Sequence, residues 1–207
     1  MPADPAPLRI KAFRVGPKNQ RMKEAAGVEG PTEYDVVVAS HLPLAELLAS
    51  HRIEIAPEET RLIAENFPWP EERTVVRRFE LFDFSFRSEY GRSGVDEEFV
   101  RDKLDFFKFR PATLPELICF ASHFRQAYRD QWFESKKILA LGSVLATDEV
   151  VKKKGWFSRE VRGAFRYYPE LECVAGRPRD LLRLSRTDQD RDGNWPKETL
   201  FLATPLA

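Results

Sequence analysis

The sequence predicts an α+β protein in which mixed N-terminal strands and helices pack on a C-terminal antiparallel sheet. Three observations point there. Apolar residues recur at helical spacing through the middle of the chain. β-Branched and aromatic runs lie beside those helices, and the last third breaks into short apolar runs separated by polar turns. The chain has 207 residues, of which 43% are hydrophobic and 12% aromatic, enough to build a core without staples and too many rings for a disordered chain. The leader MPADPAP (1–7) reads as a flexible N-terminal arm, and residues 8–207 as a single α+β domain.

The elements follow in order. LRIKAFRV (8–15) alternates and predicts a strand, and the Gly and Pro residues bracketing 16–33 predict a loop. YDVVVAS (34–40) is a β-branched run that suits a buried strand, after which Ser40 is placed to cap a helix over 42–52 with Leu44, Leu47 and Leu48 on one face. Pro57 in the first turn, with Glu58 and Glu59 at the positive helix end, predicts a second helix over 57–67 that FPWP (67–70) stops. In TVVRRFELFDFSFR (74–87) the apolar phase changes. Phe79 and Leu81 share one face while Phe82, Phe84 and Phe86 share the other, so the strand is expected to be buried on both sides or to carry a bulge.

SEYGRSG (88–94) has the glycines of a loop. Val100, Leu104 and Phe107 fall at i, i+4, i+7 and predict an amphipathic helix over 95–107. Thr113 with Glu116 is a capping-box pattern, Pro115 suits a first turn, and the helix should run to 128. The sheet of the last third is expected from the runs at 137–146, 164–174, 180–186 and 199–205.

DQDRDGNW (188–195) matches the first half of a calcium loop at Asp188, Asp190, Asp192 and Gly193. Position 12, however, is Thr199 where a bidentate glutamate is required, and the flanks alternate like strands rather than helices. Asp-Gly between alternating apolar segments instead predicts a hairpin tip.

Composition narrows the function classes. Basic and acidic residues balance at 33 each, which excludes a protein that works by overall charge. The balance is uneven along the chain: residues 1–31 carry +3, residues 32–133 carry −6 and residues 134–207 carry +3. Two cysteines, Cys119 and Cys173, form neither a disulfide framework nor a CxxC zinc pair and suit a reducing, cytoplasmic setting. The leader lacks the apolar core of a secretory signal, and the longest strongly apolar run is far short of the ~20 residues of a membrane helix, so no membrane association is expected. No nucleotide-binding, hydrolase or metalloprotease motif is present, and no cofactor is expected.

The stretch that most resembles a binding surface is KKKGWFSREVRGAFRYY (152–168). Lys152, Lys153, Lys154, Arg159, Arg162 and Arg166 face one acid, Glu160, and five aromatic residues are interleaved among them. Cations neutralise phosphates, and flat rings stack on bases. Here the lysines with Arg159 and Arg162 are the expected phosphate contacts, and Trp156 and Phe157 the stacking platforms. The competing reading is a solvated connection whose aromatic residues turn inward.

Elsewhere Glu116, Cys119 and His123 lie at i, i+3, i+7 on one side of a helix, a spacing open to a metal or to a thiol nucleophile with its base. The same segment is ordinary amphipathic core, where cysteine packs as a small hydrophobe. His41 sits at a strand-to-helix turn, where α/β enzymes often place catalytic groups. The expected function is therefore a non-enzymatic intracellular binding module that contacts nucleic acid through 152–168. The alternatives are a protein-interaction or structural subunit, and a small enzyme using Cys119 and His123 or His41.

Overall fold

The computed structural model of this protein describes residues 10–12, 34–39, 42–67, 74–84, 95–128, 136–153, 159–173, 179–188, 195–196 and 199–206. Four helices and ten strands occur among them. In chain order they are β1 (Ile10–Ala12), β2 (Tyr34–Ala39), α1 (Leu44–Ser50), β3 (Ile53–Ile55), α2 (Pro57–Asn66), β4 (Thr74–Asp83), α3 (Glu97–Phe106), β5 (Phe109–Pro111), α4 (Leu114–Tyr128), β6 (Lys136–Leu139), β7 (Leu145–Lys153), β8 (Arg159–Cys173), β9 (Asp180–Asp188) and β10 (Thr199–Pro205). The chain is α+β. The expected arm (1–7), the loop over 16–33, the FPWP prolines, SEYGRSG, His41 and Ser40 lie outside the described residues.

The sheet is mixed rather than purely antiparallel. Its strand order is β1-β4-β10-β6-β8-β9-β3, with β2 on β4, β5 on β10 and β7 on β8. The pairs β1/β4, β10/β6 and β3/β9 are parallel. The N-terminal strands thus join the sheet built by the last third instead of packing on it from outside.

β4 accounts for both faces. Phe79 and Leu81 enter one core with Val36, Val38, Leu47, Ile63 and the apolar residues of α4. Phe82 and Phe84 enter a second core with Val100 and Leu104 of α3, Tyr168, Trp195 and Phe201. The register of β4 against β10 is continuous through both residues, so the phase change marks a strand buried on two sides and not a bulge. Helices α1, α2 and α4 cover the first face, and α3 covers the second.

Two expectations are corrected. The strands flanking DQDRDGNW do not pair with each other: β9 lies between β8 and β3, whereas β10 lies between β4 and β6. Two strands, β6 and β8, lie between β10 and β9 in the sheet, so the Asp-Gly segment does not join a hairpin pair. A local turn signal cannot sense that two other strands claim the edges of β9 and β10. Residues 189–194 lie outside the described residues, but both flanking elements are strands and not the helices of a calcium loop. The helix expected from residue 42 starts at Leu44, with Pro43 as its N-cap and no side-chain cap. Proline pre-sets the φ angle for entry into the helix, and its missing N–H costs nothing there.

The glutamate half of the capping box is present. The Glu116 carboxylate accepts from the Thr113 N–H at 2.8 Å and from the Thr113 hydroxyl at 3.0 Å, while Arg110 donates to it through Nη1 at 3.0 Å and Nη2 at 2.7 Å. Burial pushes the Glu116 carboxyl up, but the hydrogen bonds from Arg110 and then Thr113 outweigh it and hold the group below the usual carboxylate range. A depressed folded value stabilises the protein above the unfolded value near ~4.3, and that stability is lost as pH falls through the folded value. Glu116→Gln is expected to cost about 1–2 kcal/mol at pH 7. The gap from wild type should close on acidification. Urea titrations at pH 7 and in the acid range check this, and a gap that stays constant with pH refutes it.

Among the described residues no helix is long and apolar enough to cross a membrane.

Candidate nucleic-acid interface

The basic stretch folds into an antiparallel ribbon. β7 pairs with β8 from Leu145 against Tyr167 to Lys153 against Arg159 without a break. β9 pairs with β8 only at 165–172, so the segment 159–164 has β7 as its sole strand neighbour among the described residues. At about 3.3 Å per residue that ribbon continues for roughly 20 Å beyond the β9 pairing. Lys153 stands opposite Arg159, Lys152 opposite Glu160 and Arg162 opposite Val150. Four of the eight residues singled out in the sequence therefore lie in the outer ladder. Lys154, Trp156 and Phe157 belong to the connection 154–158, outside the described residues.

At the root of the ribbon the aromatic residues turn inward. Phe165 is buried, and the Arg186 guanidinium lies over its ring at 4.8 Å from the centroid. Tyr168 is fully buried and meets the Trp195 ring edge-on at 5.5 Å. Tyr167 is half-buried. The rings of Phe165 and Tyr168 thus serve the core rather than a stacking surface.

Arg166, the eighth residue, is engaged in a network that sequence reasoning missed. Glu97, the first residue of α3, takes hydrogen bonds on one carboxylate: Arg101 Nε donates to Oε1 at 2.6 Å, Arg166 Nη1 to Oε2 at 3.0 Å, and the Tyr168 hydroxyl to the same Oε2. Arg101 also donates through Nη2 to the Leu141 carbonyl at 2.7 Å. Burial pushes the Glu97 carboxyl up, yet the Tyr168 and Arg101 hydrogen bonds prevail and hold it low. Burial, and then the adjoining carboxylate, push the Tyr168 hydroxyl well above its ordinary value, so it stays a donor. The Glu97–Arg101 pair at i, i+4 was visible in the sequence as a helical ion pair. Nothing local announced that β8 would bring Arg166 and Tyr168 to it.

Of the Glu116, Cys119 and His123 set, the side chain of His123 lies outside the described residues. Cys119 is fully buried in the core that α4 covers. Glu116 is committed to Arg110 and Thr113, as above. Among the described residues no group of three His, Cys, Asp or Glu could hold a metal ion.

The chain matches no family model, no characterised protein and no solved structure.

Proposed function

We propose that this chain is a non-enzymatic binding module whose β7–β8 ribbon contacts nucleic acid. The observation that carries the reading is the ladder itself. It sets Lys152, Lys153, Arg159 and Arg162 on a two-stranded arm beyond the β9 pairing, with Lys154 in the connection at its end, against three acids on the same arm, Asp148, Glu149 and Glu160. A two-stranded ribbon has a width that a groove of duplex DNA admits, and closely spaced cations release condensed counterions from a phosphate backbone. Trp156 and Phe157, in the same connection, are the residues proposed to stack on unpaired bases. A cytoplasmic location belongs to the same proposal and is supported by two free cysteines, Cys119 and Cys173.

Titration with single-stranded and duplex oligonucleotides at 50 and 200 mM salt tests it. Binding should weaken steeply with salt, and replacing Lys152, Lys153 and Lys154 together by alanine should reduce the slope of log K against log salt by about 2–3. Binding that ignores salt would instead identify a protein partner anchored on aromatic residues. No binding at low salt ends the nucleic-acid reading.

A further inference from the structure

Arg166 lies four residues along β8 from Arg162, about 13 Å away. It stands at the ribbon's root, and the ladder position between the two arginines pairs Ala164 with Asp148. Its guanidinium is held by Glu97 and lies beside the Tyr168 hydroxyl, yet its side chain is 43% exposed. The other holders of that carboxylate are better fixed. Arg101 reaches Glu97 within the same helix and is itself tied to the Leu141 carbonyl, and Tyr168 is fully buried against Trp195. If Arg166 swings away, Glu97 keeps two donors and no bare charge is left behind. Arg166 is therefore the partner in this network that can leave at small cost.

We infer that Glu97 acts as an internal anion that withholds Arg166 from phosphate, so that Arg166 is a further contact of the ribbon gated by α3. This rests on the nucleic-acid reading above. A carboxylate that accepts from two guanidinium groups and a hydroxyl occupies the position a phosphate oxygen would take. A phosphate reaching the root of the ribbon competes with it for Arg166, and contact is otherwise confined to the outer ladder.

The test is oligonucleotide binding across 50–200 mM salt by Glu97→Gln, with Glu98→Gln as the control. Glu98 is exposed on the same turn and removes the same charge without touching Arg166. Glu97→Gln should add about one phosphate contact, which makes the fall in affinity across that salt range about threefold larger. Glu98→Gln should not, and Arg166→Gln added to Glu97→Gln should return the slope to that of wild type. Should Glu97→Gln melt too low to assay, Glu97→Asp keeps the net charge while drawing the carboxylate back by one methylene, and should shift the slope in the same direction by less. Equal slopes for the Glu97 and Glu98 variants overturn the gate and leave the ribbon standing. Absence of binding by both wild type and Glu97→Gln removes the ribbon reading, and the gate with it.

Discussion

Phe201→Ala is expected to lower stability by about 3–5 kcal/mol, the range for deleting a large aromatic side chain from a well-packed core. Phe201 is fully buried on β10, between β4 and β6 in the sheet. Its ring lies 5.7 Å from Phe84 and 5.6 Å from Trp195. Phe84 meets Phe99 of α3 at 5.6 Å, and Trp195 meets Tyr168 at 5.5 Å, so one ring links α3, β4, β8 and the Trp195 segment. The site collapses poorly because the strand backbones on either side are fixed by their ladders. For a chain of this size the loss corresponds to a melting temperature lower by roughly 6–20 °C. In urea the midpoint should fall with little change in m. A loss under about 2 kcal/mol would mean that this second core is not packed as described.

Local chemistry was readable, and long-range pairing was not. Helices α2, α3 and α4 follow from Pro57, from the Val100–Leu104 spacing and from the Thr113–Glu116 box, all of which act within a turn or two of the chain. The two-sided burial of β4 was legible because a change of phase between Leu81 and Phe82 leaves few other arrangements. By contrast β3 and β5 are three residues each, too short to show a period, and they exist because β9 and β10 offer them an edge. The Asp-Gly signal failed for the complementary reason: it describes a turn, whereas pairing is decided by which edges remain open when the whole sheet closes. The candidate interface divides along the same line. Two lysines and two arginines of the sequence run meet in one antiparallel pair, β7 with β8, which is local. The capture of Arg166 by Glu97 spans 69 residues and needed the fold.

Gly142 is the second position where a small change should have a large effect. The apolar run at 137–146 reads as one strand, yet it breaks at 140–144 into β6 and β7, which lie along the same edge of β8. The break exists to let the backbone approach β5 and the start of α4. Gly142 N–H donates to the Ala112 carbonyl at 2.9 Å, the Ser143 hydroxyl accepts from the Leu114 N–H at 2.9 Å, and Ala112 N–H donates to the Leu202 carbonyl at 2.9 Å. A Cβ on residue 142 would stand 2.7 Å from the carbonyl oxygens of both Pro111 and Ala112. Those neighbours are backbone, so no rotamer change relieves the clash, and β5 with the N-terminus of α4 must move as a unit. Gly142→Ala is therefore expected to cost about 2–3 kcal/mol, near the upper end for overpacking. The exposed neighbour Val144 supplies the control, since Val144→Ala should stay within about 0.5 kcal/mol of wild type. Denaturation midpoints of the two variants decide it. If Gly142→Ala is as mild as Val144→Ala, the close approach of this turn to β5 is wrong, and with it the reason the strand divides there.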